Sequence, residues 1–503
     1  MSWSRWRRVR QTSQILFLAL FVYLLFVGSQ QAAFPHVDLF IRFDPLAAFG
    51  AMLASREWIP RLALALVTLG LTFLLGRVWC GWVCPTGTLL EWVRFSSAPK
   101  RTIRLSPRWK VVRNIALLVI LASALMGNLS FMILDPLTIF TRTMTTAILP
   151  AVDYSVTSVE QVLYPISFLQ PVLGSIEGLV RGTILPQKQP VFDQNVLIVA
   201  LFAGLVALNL FAHRFWCRFL CPLGALLGLA SKVAIFRPLI GSACIQCGEC
   251  ENACPVDAID ANQGYGIVPA DCIVCMDCLA VCPEQGAGFK LNWQPVPLDA
   301  YDPTRRQVLG AFAVSAVGVA MLRTGLQLKH PNSLLLRPPG VKNEPDFLAR
   351  CLRCSQCMKV CPTSGLQPAL GEAGLEGLWT PHLTPRLGYC DYGCNACGQV
   401  CPSGAIPALD LAIKRQSVIG LAVIDRNRCL PWARGMTCIV CEEMCPMPEK
   451  AIRLEEATMP DGKGDPIVVQ RPSVLQDLCI GCGICERQCP VDGEAAIQVY
   501  HRT

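Results

Sequence analysis

Two cysteine runs in the middle of the chain constrain it more than any other feature. Both have the spacing C-x2-C-x2-C-x3-C-P, which lets three thiolates converge on one [4Fe–4S] cube while the fourth reaches a second cube. Zinc sites use four ligands, usually as two separated pairs, so the repeated pattern favours iron–sulfur clusters over zinc. The ligands are Cys244, Cys247, Cys250 and Cys254 in the first run, and Cys272, Cys275, Cys278 and Cys282 in the second.

Four further groups occupy the second half of the chain. The first and fourth have the regular spacing, the second is stretched by one residue, and the third has eight residues between its first two cysteines. We include Cys429 in the third group because a strand-like segment, Val-Ile-Asp-Arg-Asn-Arg, leads into it. The groups are Cys351, Cys354, Cys357 and Cys361; Cys390, Cys394, Cys397 and Cys401; Cys429, Cys438, Cys441 and Cys445; and Cys479, Cys482, Cys485 and Cys489.

Composition points to a membrane protein of several domains. Hydrophobic residues make up 53% of the 503 residues and charged residues only 16%, which is unusual for a soluble domain. The six groups hold 24 of the 28 cysteines and the other four form two C-x3-C-P pairs. No cysteine remains for a disulfide framework. There is no C-x-x-C-H haem motif, and the net charge of +8 gives little reason to expect nucleic acid.

Four apolar runs in the first 240 residues have roughly the length that a bilayer crossing requires. They are Ile15–Val27, Leu62–Leu75, Ile115–Ile133 and Val196–Ala212. Small residues in the segment 28–33 leave open the alternative that the first run is a cleaved signal peptide. Otherwise the four runs predict an all-α membrane domain of four helices.

Arginine and lysine residues predict the orientation of these helices, because cytoplasmic loops carry an excess of positive charge. The loop after the second run and the segment after the fourth are basic, and the loop after the third is acidic. We therefore expect the N-terminus and the first cluster module on the cytoplasmic side of a bacterial inner membrane. The residues are Arg77, Arg94, Lys100, Arg101, Arg104, Arg108, Lys110 and Arg113 in the first loop, and Arg214, Arg218, Lys232 and Arg237 after the fourth run.

The four predicted membrane helices form two repeated hairpins. Each hairpin contains an Asp-Pro-Leu segment, at Asp44 and Asp135, and ends in a C-x3-C-P pair. The pairs are Cys80 with Cys84 and Cys217 with Cys221. Four thiols at a pseudo-twofold axis could bind a metal or a small iron–sulfur centre, or cycle between thiol and disulfide. The alternative is that they are structural thiols at bent helix ends. Asp44, Asp135 and His213 are candidates for proton handling, with helix capping as the simpler role.

A twin arginine, Arg305-Arg306, precedes a short Ala/Gly/Val-rich run and resembles a Tat export signal. We predict a fifth helix there that remains as an anchor and places the last four cluster groups in the periplasm. An ordinary linker would instead leave them in the cytoplasm. The predicted domains are a membrane domain (1–240), a two-cluster domain (241–300), an anchor (301–335) and a four-cluster domain (336–503). Both cluster domains should be α+β, as in bacterial ferredoxins.

The order of these motifs resembles two proteins of periplasmic nitrate reductase systems joined in one chain. The first ~290 residues resemble the NapH-type membrane protein, and the residues from about 301 resemble the NapG-type exported ferredoxin. The resemblance implies a quinol dehydrogenase that passes electrons from membrane quinol to a periplasmic c-type cytochrome and a molybdenum reductase. The methylamine-utilisation proteins MauN and MauM are similar, so the acceptor stays open. A maturation or regulatory factor similar to CcoG or NosR is the alternative from another functional class.

We expect six [4Fe–4S] clusters, in which the fourth cysteine of each group binds the cluster of a partner group. In the two-cluster domain, Cys282 should complete the first group and Cys254 the second. In the last domain, analogy with four-cluster ferredoxin subunits predicts nested pairing. There the first group would pair with the fourth and the second with the third.

Overall fold

The structure is a computed structural model of the 503-residue chain. It describes residues 3–28, 37–93, 109–181, 185–186, 188–261, 264–284, 286–291, 304–323, 333–460 and 466–501. The possible cleavage segment at 29–33 and the basic residues from Arg94 to Arg108 therefore lie outside the described residues.

Helices dominate the first 231 residues. They are α1 (Trp3–Gly28), α2 (Leu39–Arg42), α3 (Pro45–Ser55), α4 (Ala65–Leu75), α5 (Pro85–Trp92), α6 (Lys110–Leu125), α7 (Pro136–Thr143), α8 (Leu149–Leu163), α9 (Gln170–Val180), α10 (Asn195–Ala207) and α11 (Pro222–Ser231).

Later helices are short, apart from the predicted anchor. They are α12 (Glu249–Ala253), α13 (Asp277–Val281), α14 (Arg305–Arg323), α15 (Glu344–Arg350), α16 (Gln356–Lys359), α17 (Ala396–Gln399), α18 (Leu411–Gln416), α19 (Val440–Glu443) and α20 (Ile484–Gln488).

Ten strands form five antiparallel two-stranded ribbons among the described residues. The strands are β1 (Phe236–Ile240), β2 (Ile259–Asp260), β3 (Gly266–Ile267), β4 (Ala287–Leu291), β5 (Leu366–Pro368), β6 (Pro381–Leu383), β7 (Leu421–Ile424), β8 (Ile452–Pro460), β9 (Pro466–Val474) and β10 (Ile497–Tyr500). The pairs are β1 with β4, β2 with β3, β5 with β6, β7 with β10, and β8 with β9. Such small ribbons between cysteine loops give both cluster regions an α+β character.

Four helices of the N-terminal region begin at a proline preceded by a capping side chain. Asp44 caps α3, Cys84 caps α5, Asp135 caps α7 and Cys221 caps α11. Proline suits the first position of a helix because its missing N–H would be unpaired there anyway. The repeat in the sequence is therefore a repeat of capped helix starts. The acidic segment between the third and fourth predicted spans contains α7, α8 and α9.

Both C-x3-C pairs are built on a π-helical turn, at Trp79–Val83 and Trp216–Leu220. A π-turn inserts one extra residue into a helix and is frequent at functional sites. In each hairpin the turn is followed at once by the capped helix, so the second cysteine of the pair is also the cap.

Two helices are long and apolar enough to cross a membrane by length and composition, Arg5–Val27 within α1 and Arg305–Arg323. Other apolar helices, including those at the second and fourth predicted spans, are shorter. Large apolar side chains are nevertheless exposed on them, such as Leu66 at 55% and Val196 at 78%. Extensive exposed apolar surface fits contact with lipid. Together with the relatives described below, these helices indicate a membrane-associated protein.

The two cluster regions lie at opposite ends of the helical bundle. At one end, Arg10 of α1 pairs with Asp277 and Lys110 of α6 pairs with Asp271. At the other end, the Leu24 carbonyl of α1 accepts a hydrogen bond from Lys359. Helix α14 packs beside α6, and its last residue, Arg323, bonds to the Met126 carbonyl. Its 19 residues span about 28 Å at 1.5 Å per residue, so it can carry the chain from one end to the other.

Candidate iron–sulfur sites

The four regular cysteine groups share one backbone conformation. In each, the residues on both sides of the second cysteine have a positive φ angle. Left-handed backbone is rare outside glycine, yet only some of these residues are glycine. The same local strain, repeated four times, folds each loop around a common centre. The flanking pairs are Gln246 and Gly248, Val274 and Met276, Arg353 and Ser355, and Gly481 and Gly483.

The two stretched groups bring their cysteines together with a different backbone conformation. Asn395 and Ile439, which follow the second cysteine of each group, have φ angles of −130° and −120°. In the third group the extra residues form a π-helical turn, Leu430–Arg434, directly after Cys429. The turn absorbs the insertion, and Cys429 lies near Cys438. The structure thus places Cys429 where a cluster ligand would be needed.

The two-cluster module, residues 241–300, brings its cysteines together as the crossover rule predicts. One cavity is lined by four cysteines, Cys244, Cys247, Cys250 and Cys282. A second cavity is lined by Cys254, Cys272, Cys275 and Cys278. Two cavities with four thiols each fit two four-iron cubes, in which every iron takes one thiolate.

The last four groups contradict the nested scheme. Groups one and two exchange their fourth cysteines, and groups three and four do the same. The resulting sets, which we call A, B, C and D, follow from sulfur proximity and from the cavity that surrounds set B. Set A is Cys351, Cys354, Cys357 and Cys401; set B is Cys390, Cys394, Cys397 and Cys361; set C is Cys479, Cys482, Cys485 and Cys445; set D is Cys429, Cys438, Cys441 and Cys489.

Packing of the short helices explains this correction. Helix α16 of group one contacts α17 of group two, and α19 of group three contacts α20 of group four. Each fourth cysteine stands at the end of such a helix, so it reaches the group that its helix packs against. The nested scheme was wrong because it took group order from an analogy, whereas helix contacts decide the pairing.

The four cysteines of the two C-x3-C-P pairs converge, although each pair comes from a different hairpin. Cys84 lies near Cys80 and Cys217, and Cys221 lies near the other three. Among the described residues, no three His, Cys, Asp or Glu side chains are close enough to hold a single metal ion. A four-iron cube needs wider spacing than one zinc ion does, because each thiolate binds a different iron. We call these four residues the cysteine quartet.

Two buried arginines accompany the quartet. Arg77 and Arg214 stand three residues before the first cysteine of their hairpins and are 2% and 0% exposed. Arg77 lies near Cys80 and Cys221, whereas Arg214 lies near Cys217 and Cys84. Buried charges require partners: Arg214 pairs with Glu91 at 2.9 Å, and the thiolates of a bound cluster would be further partners for both arginines. The motif R-x-W-C-x3-C-P-x-G occurs twice in the sequence and could have revealed these residues.

The second loop of the two-cluster module sits directly on the quartet. A Cβ atom at Gly81 would lie 2.2 Å from the carbonyl oxygen of Ile273, so only glycine allows this approach. Trp82 Nε1 donates to the Val274 carbonyl at 2.9 Å, and Arg77 donates to the Ala270 carbonyl at 2.8 Å. Cys80 packs in the same apolar cluster as Ile273. The second cube of the module would therefore adjoin the quartet.

Asp271 fastens this loop to the bundle. Its carboxylate accepts from Lys110 Nζ at 2.8 Å and from Arg113 at 2.5 Å, and all three side chains are buried. Burial alone would raise the pKa of Asp271, but the charges of Arg113 and Lys110 outweigh it and lower the pKa to about 2. A buried ion pair of this kind holds a fixed geometry, because separating the charges leaves each one unpaired.

On its other side, the quartet shares an apolar cluster with set A. Cys84, Cys221 and Cys354 belong to one continuous group of buried residues. Leu137 of α7 and Leu352 of the set A loop are also members of it. In addition, Arg142 donates to the carbonyl of Arg353, the residue before Cys354. The quartet therefore lies between the two-cluster module and set A.

The remaining sets continue this series. Cys357 of set A packs near Cys397 of set B. The backbone N–H of Cys390, in set B, donates to the Cys482 carbonyl, in set C, at 2.8 Å. Cys485 of set C lies near Cys441 of set D. Sets A to D therefore adjoin one another in that order.

Burial raises the pKa of several of these thiols, for example that of Cys390 to about 11 and that of Cys272 to about 12. In the iron-free protein such groups are protonated at neutral pH. Iron binding requires thiolates, so cluster assembly would release protons.

Comparisons with known proteins agree with this arrangement. Residues 58–104 and 194–242 match a 4Fe-4S binding domain, and these two stretches contain the quartet. Residues 243–287 match a 4Fe-4S dicluster domain, and residues 472–493 match a further 4Fe-4S binding domain.

The curated relatives are ferredoxin-type proteins. The methylamine utilization ferredoxin-type protein MauM of Methylorubrum extorquens is 39% identical over 211 residues, which is 40% of this chain and 90% of the relative. This chain belongs to the MauM and NapG family of ferredoxin-type proteins. The family member NapG of Escherichia coli is 38% identical over 203 residues, 39% of this chain and 82% of the relative. The ferredoxin-type protein NapF of E. coli is 29% identical over 174 residues, which cover 34% of this chain and 90% of NapF. The chain is accordingly an iron–sulfur electron-transfer protein with several 4Fe-4S domains.

The proton-handling candidates differ in what surrounds them. His213 Nε2 lies 3.3 Å from the Glu91 carbonyl oxygen, at the edge of a buried network in which Arg10, Gln14 and Arg214 bind the Glu91 carboxylate. This position favours a structural role for His213. Asp44 and Asp135 are both completely buried.

Proposed function

We propose that this protein is a membrane electron conduit with seven [4Fe–4S] clusters in series. Six are bound by the ferredoxin-type groups in the sets given above, and the seventh by Cys80, Cys84, Cys217 and Cys221. One observation carries the proposal: the quartet contacts the two-cluster module on one side and shares an apolar cluster with set A on the other. It is thus the link between two cluster regions that stand at opposite ends of the bundle.

Charge supports a cluster in the quartet. An oxidised four-iron cube with four thiolates carries two net negative charges, and Arg77 and Arg214 supply two positive ones. Burying a charge without a counter-charge costs several kcal/mol. Arg214 is already paired with Glu91 at 2.9 Å, and Glu91 is shared with Arg10. A bound cluster would therefore add a counter-charge for two almost completely buried arginines rather than supply the first one.

We further propose that electrons enter from membrane quinol and leave beyond set D. The chain would cross the membrane with the two-cluster module in the cytoplasm and sets A to D in the periplasm, joined by α14. Around set D, Met436, Ile439 and Met444 are exposed and offer an apolar contact for an electron acceptor. The resemblance to NapH-type and NapG-type proteins supports quinol as the donor and a periplasmic c-type cytochrome, serving a reductase, as the acceptor. MauM supports a methylamine system equally.

Iron and sulfide analysis tests the seventh cluster. Cys84→Ser and Cys221→Ser should each remove about four iron atoms per chain and leave the other clusters. Dithionite should still reduce those clusters in both variants, whereas quinol-driven reduction of sets A to D in isolated membranes should be lost. Unchanged iron content in both variants would contradict the seventh cluster.

Reporter fusions test the topology. Fusions within 150–193 and after Pro345 should report the periplasm, and a fusion near Cys250 the cytoplasm. A cytoplasmic signal beyond Pro345 would overturn the proposed route to a periplasmic acceptor.

A further inference from the structure

Two carboxyl groups meet inside the bundle, apart from every cysteine group. Asp44 and Asp135 are both 0% exposed. One oxygen of each caps a helix: Asp44 Oδ1 accepts from Leu46 N at 2.8 Å, and Asp135 Oδ2 accepts from Thr138 N at 2.8 Å. The other oxygens, Asp44 Oδ2 and Asp135 Oδ1, are buried and have no hydrogen-bond donor in the described part of the chain.

These carboxyl groups are close enough to hydrogen-bond to each other. Two carboxylates at such a distance cannot both be ionised, and one proton between them relieves the repulsion. A proton also turns one of the two free oxygens into a donor for the other. Two free, buried oxygens that face each other fit one shared proton, and a second proton would neutralise the pair.

The surroundings accommodate the singly protonated, negatively charged form. The N-termini of α3 and α7 both point at the pair, and helix N-termini favour negative charge. Arg142 of α7 attracts Asp135, and Arg353 lies beyond it. Helix α2 contributes only the ion pair of Arg42 with Asp38, which neutralises itself. On the quartet side the charged groups are Arg77 and Arg214.

The pair lies between two proposed clusters. Thr86, two residues after Cys84, donates to the carbonyl of Pro136, the residue after Asp135, at 3.0 Å. The rings of Phe43 and Trp79, which precede Asp44 and Cys80, are 5.9 Å apart. In the other direction, Arg142 reaches the set A loop, about 10 Å along α7 from the pair at 1.5 Å per residue. An electron that passes from the quartet to set A therefore passes this pair.

We propose that Asp44 and Asp135 form a proton-binding site coupled to the quartet. When the quartet cluster gains one electron, the pair takes up one proton and becomes neutral, and it releases that proton when the electron moves on to set A. The electron comes from the proposed quinol donor and the proton from water. The physical reason is that an added negative charge in a low-dielectric interior is costly, and a nearby proton offsets it. This inference rests on the proposed quartet cluster.

A line of buried polar groups follows Asp135 along the chain. The hydroxyls of Thr141 and Thr145 are buried and lack hydrogen-bond partners among the described residues, as does Asp153 Oδ2. They follow Asp135 along α7, the π-helical turn Met144–Ile148 and α8. The line ends at Asp153, whose other oxygen binds Arg181, a partly exposed side chain.

Asparagine variants separate a proton site from a structural cap. Asparagine caps helices about as well as aspartate, so Asp44→Asn, Asp135→Asn and the double variant should keep α3 and α7 while removing the shared proton. The matched control is Asp38→Asn, which changes a buried aspartate outside the pair. All proteins are purified intact with their clusters, and their iron content and thermal unfolding are measured first.

Two readouts then test the coupling. Redox titration of the quartet cluster by EPR at several pH values should show a midpoint potential that rises by about 59 mV for each tenfold rise in proton concentration. Infrared difference spectra of oxidised and reduced protein should show a carboxylic acid band. Both signals should disappear in the double variant and persist in Asp38→Asn.

The outcomes distinguish this inference from the function on which it rests. A quartet cluster with a pH-independent potential, or a pH dependence that survives in the folded double variant, overturns the proton site alone. Iron content that does not fall when Cys84 or Cys221 is replaced overturns the quartet cluster and the proton site together.

Discussion

The two hairpins of the bundle are alike where they face each other and different where they face the two-cluster module. Each supplies one Asp cap, one Cys cap, one π-helical turn and one buried arginine. In the first turn, however, the residue after the leading cysteine is Gly81, which admits the Ile273 backbone. In the second turn the same position is Arg218, which reaches out to Asp257 at 3.0 Å. Symmetry thus builds the centre, and the two hairpins hold the neighbouring module by different contacts.

The largest effect should come from Asp271, which holds the module in its asymmetric place. Asp271→Asn removes the carboxylate that Lys110 and Arg113 bind, and removing one partner of a buried ion pair costs about 3–5 kcal/mol. We expect the module to detach and to become protease-sensitive, whereas sets A to D stay folded. Limited proteolysis with mass spectrometry measures this, with Asp260→Asn as the control in the same module. Equal protease resistance of variant and wild type would contradict the docking role.

The same residue predicts a pH dependence. Because the pKa of Asp271 is lowered to about 2 in the folded protein, compared with about 3.9 in an unfolded chain, its contribution is complete above about pH 4. It should be lost as the pH falls through 2. Docking should therefore survive at pH 5, and Asp271→Asn should remove the contribution at every pH. Loss of docking between pH 5 and 6 in the wild type would contradict this assignment.

Gly81→Ala should come next and should affect the first hairpin only. Its Cβ would collide with a backbone oxygen that cannot move aside, and overpacking of this kind costs about 1–3 kcal/mol. We expect slower electron exchange between the quartet and the two-cluster module, measured by stopped-flow reduction. Gly70→Ala on α4 is the control, because nothing lies within 4 Å of its added Cβ.

Arg218→Ala should have a smaller effect. The variant loses one hydrogen bond to a charged group, worth about 1.5 kcal/mol, and Asp257 is partly exposed, so water replaces the partner. Arg218→Lys should restore part of the lost stability if the positive charge is what matters. It should restore none if the geometry of the hydrogen bond is what matters. A cost as large as that of Asp271→Asn would mean that both hairpins dock the module equally.

Trp82→Phe should have the smallest effect. It removes the bond from Nε1 to the Val274 carbonyl, a loss of about 1 kcal/mol, and phenylalanine already occupies the matching position 219 in the other hairpin. Thermal unfolding should show a shift of a few degrees with unchanged electron transfer. A loss of transfer would show that the indole does more than anchor the loop.

Sequence patterns predicted the features that depend on local spacing. The six cysteine groups, the wiring of the two-cluster module and the convergence of the quartet followed from ligand spacing and from the repeat. The pairing of groups one to four could not be predicted, because it depends on which short helices pack together. The Asp44–Asp135 contact was missed for a similar reason. A capping residue is visible in the sequence, but a meeting of two caps across hairpins is a long-range contact.

The shared cluster site has a consequence for the origin of the bundle. Each hairpin contributes half of the four ligands, half of the carboxyl pair and one arginine, so a single hairpin could complete none of these sites. Two copies of a one-hairpin ancestor, related by a twofold axis, would have completed all of them as a symmetric dimer. After gene duplication and fusion, one copy could have carried a glycine, and the other an arginine, at the position directly after the first cysteine. The two halves of the bundle would then contact the module differently.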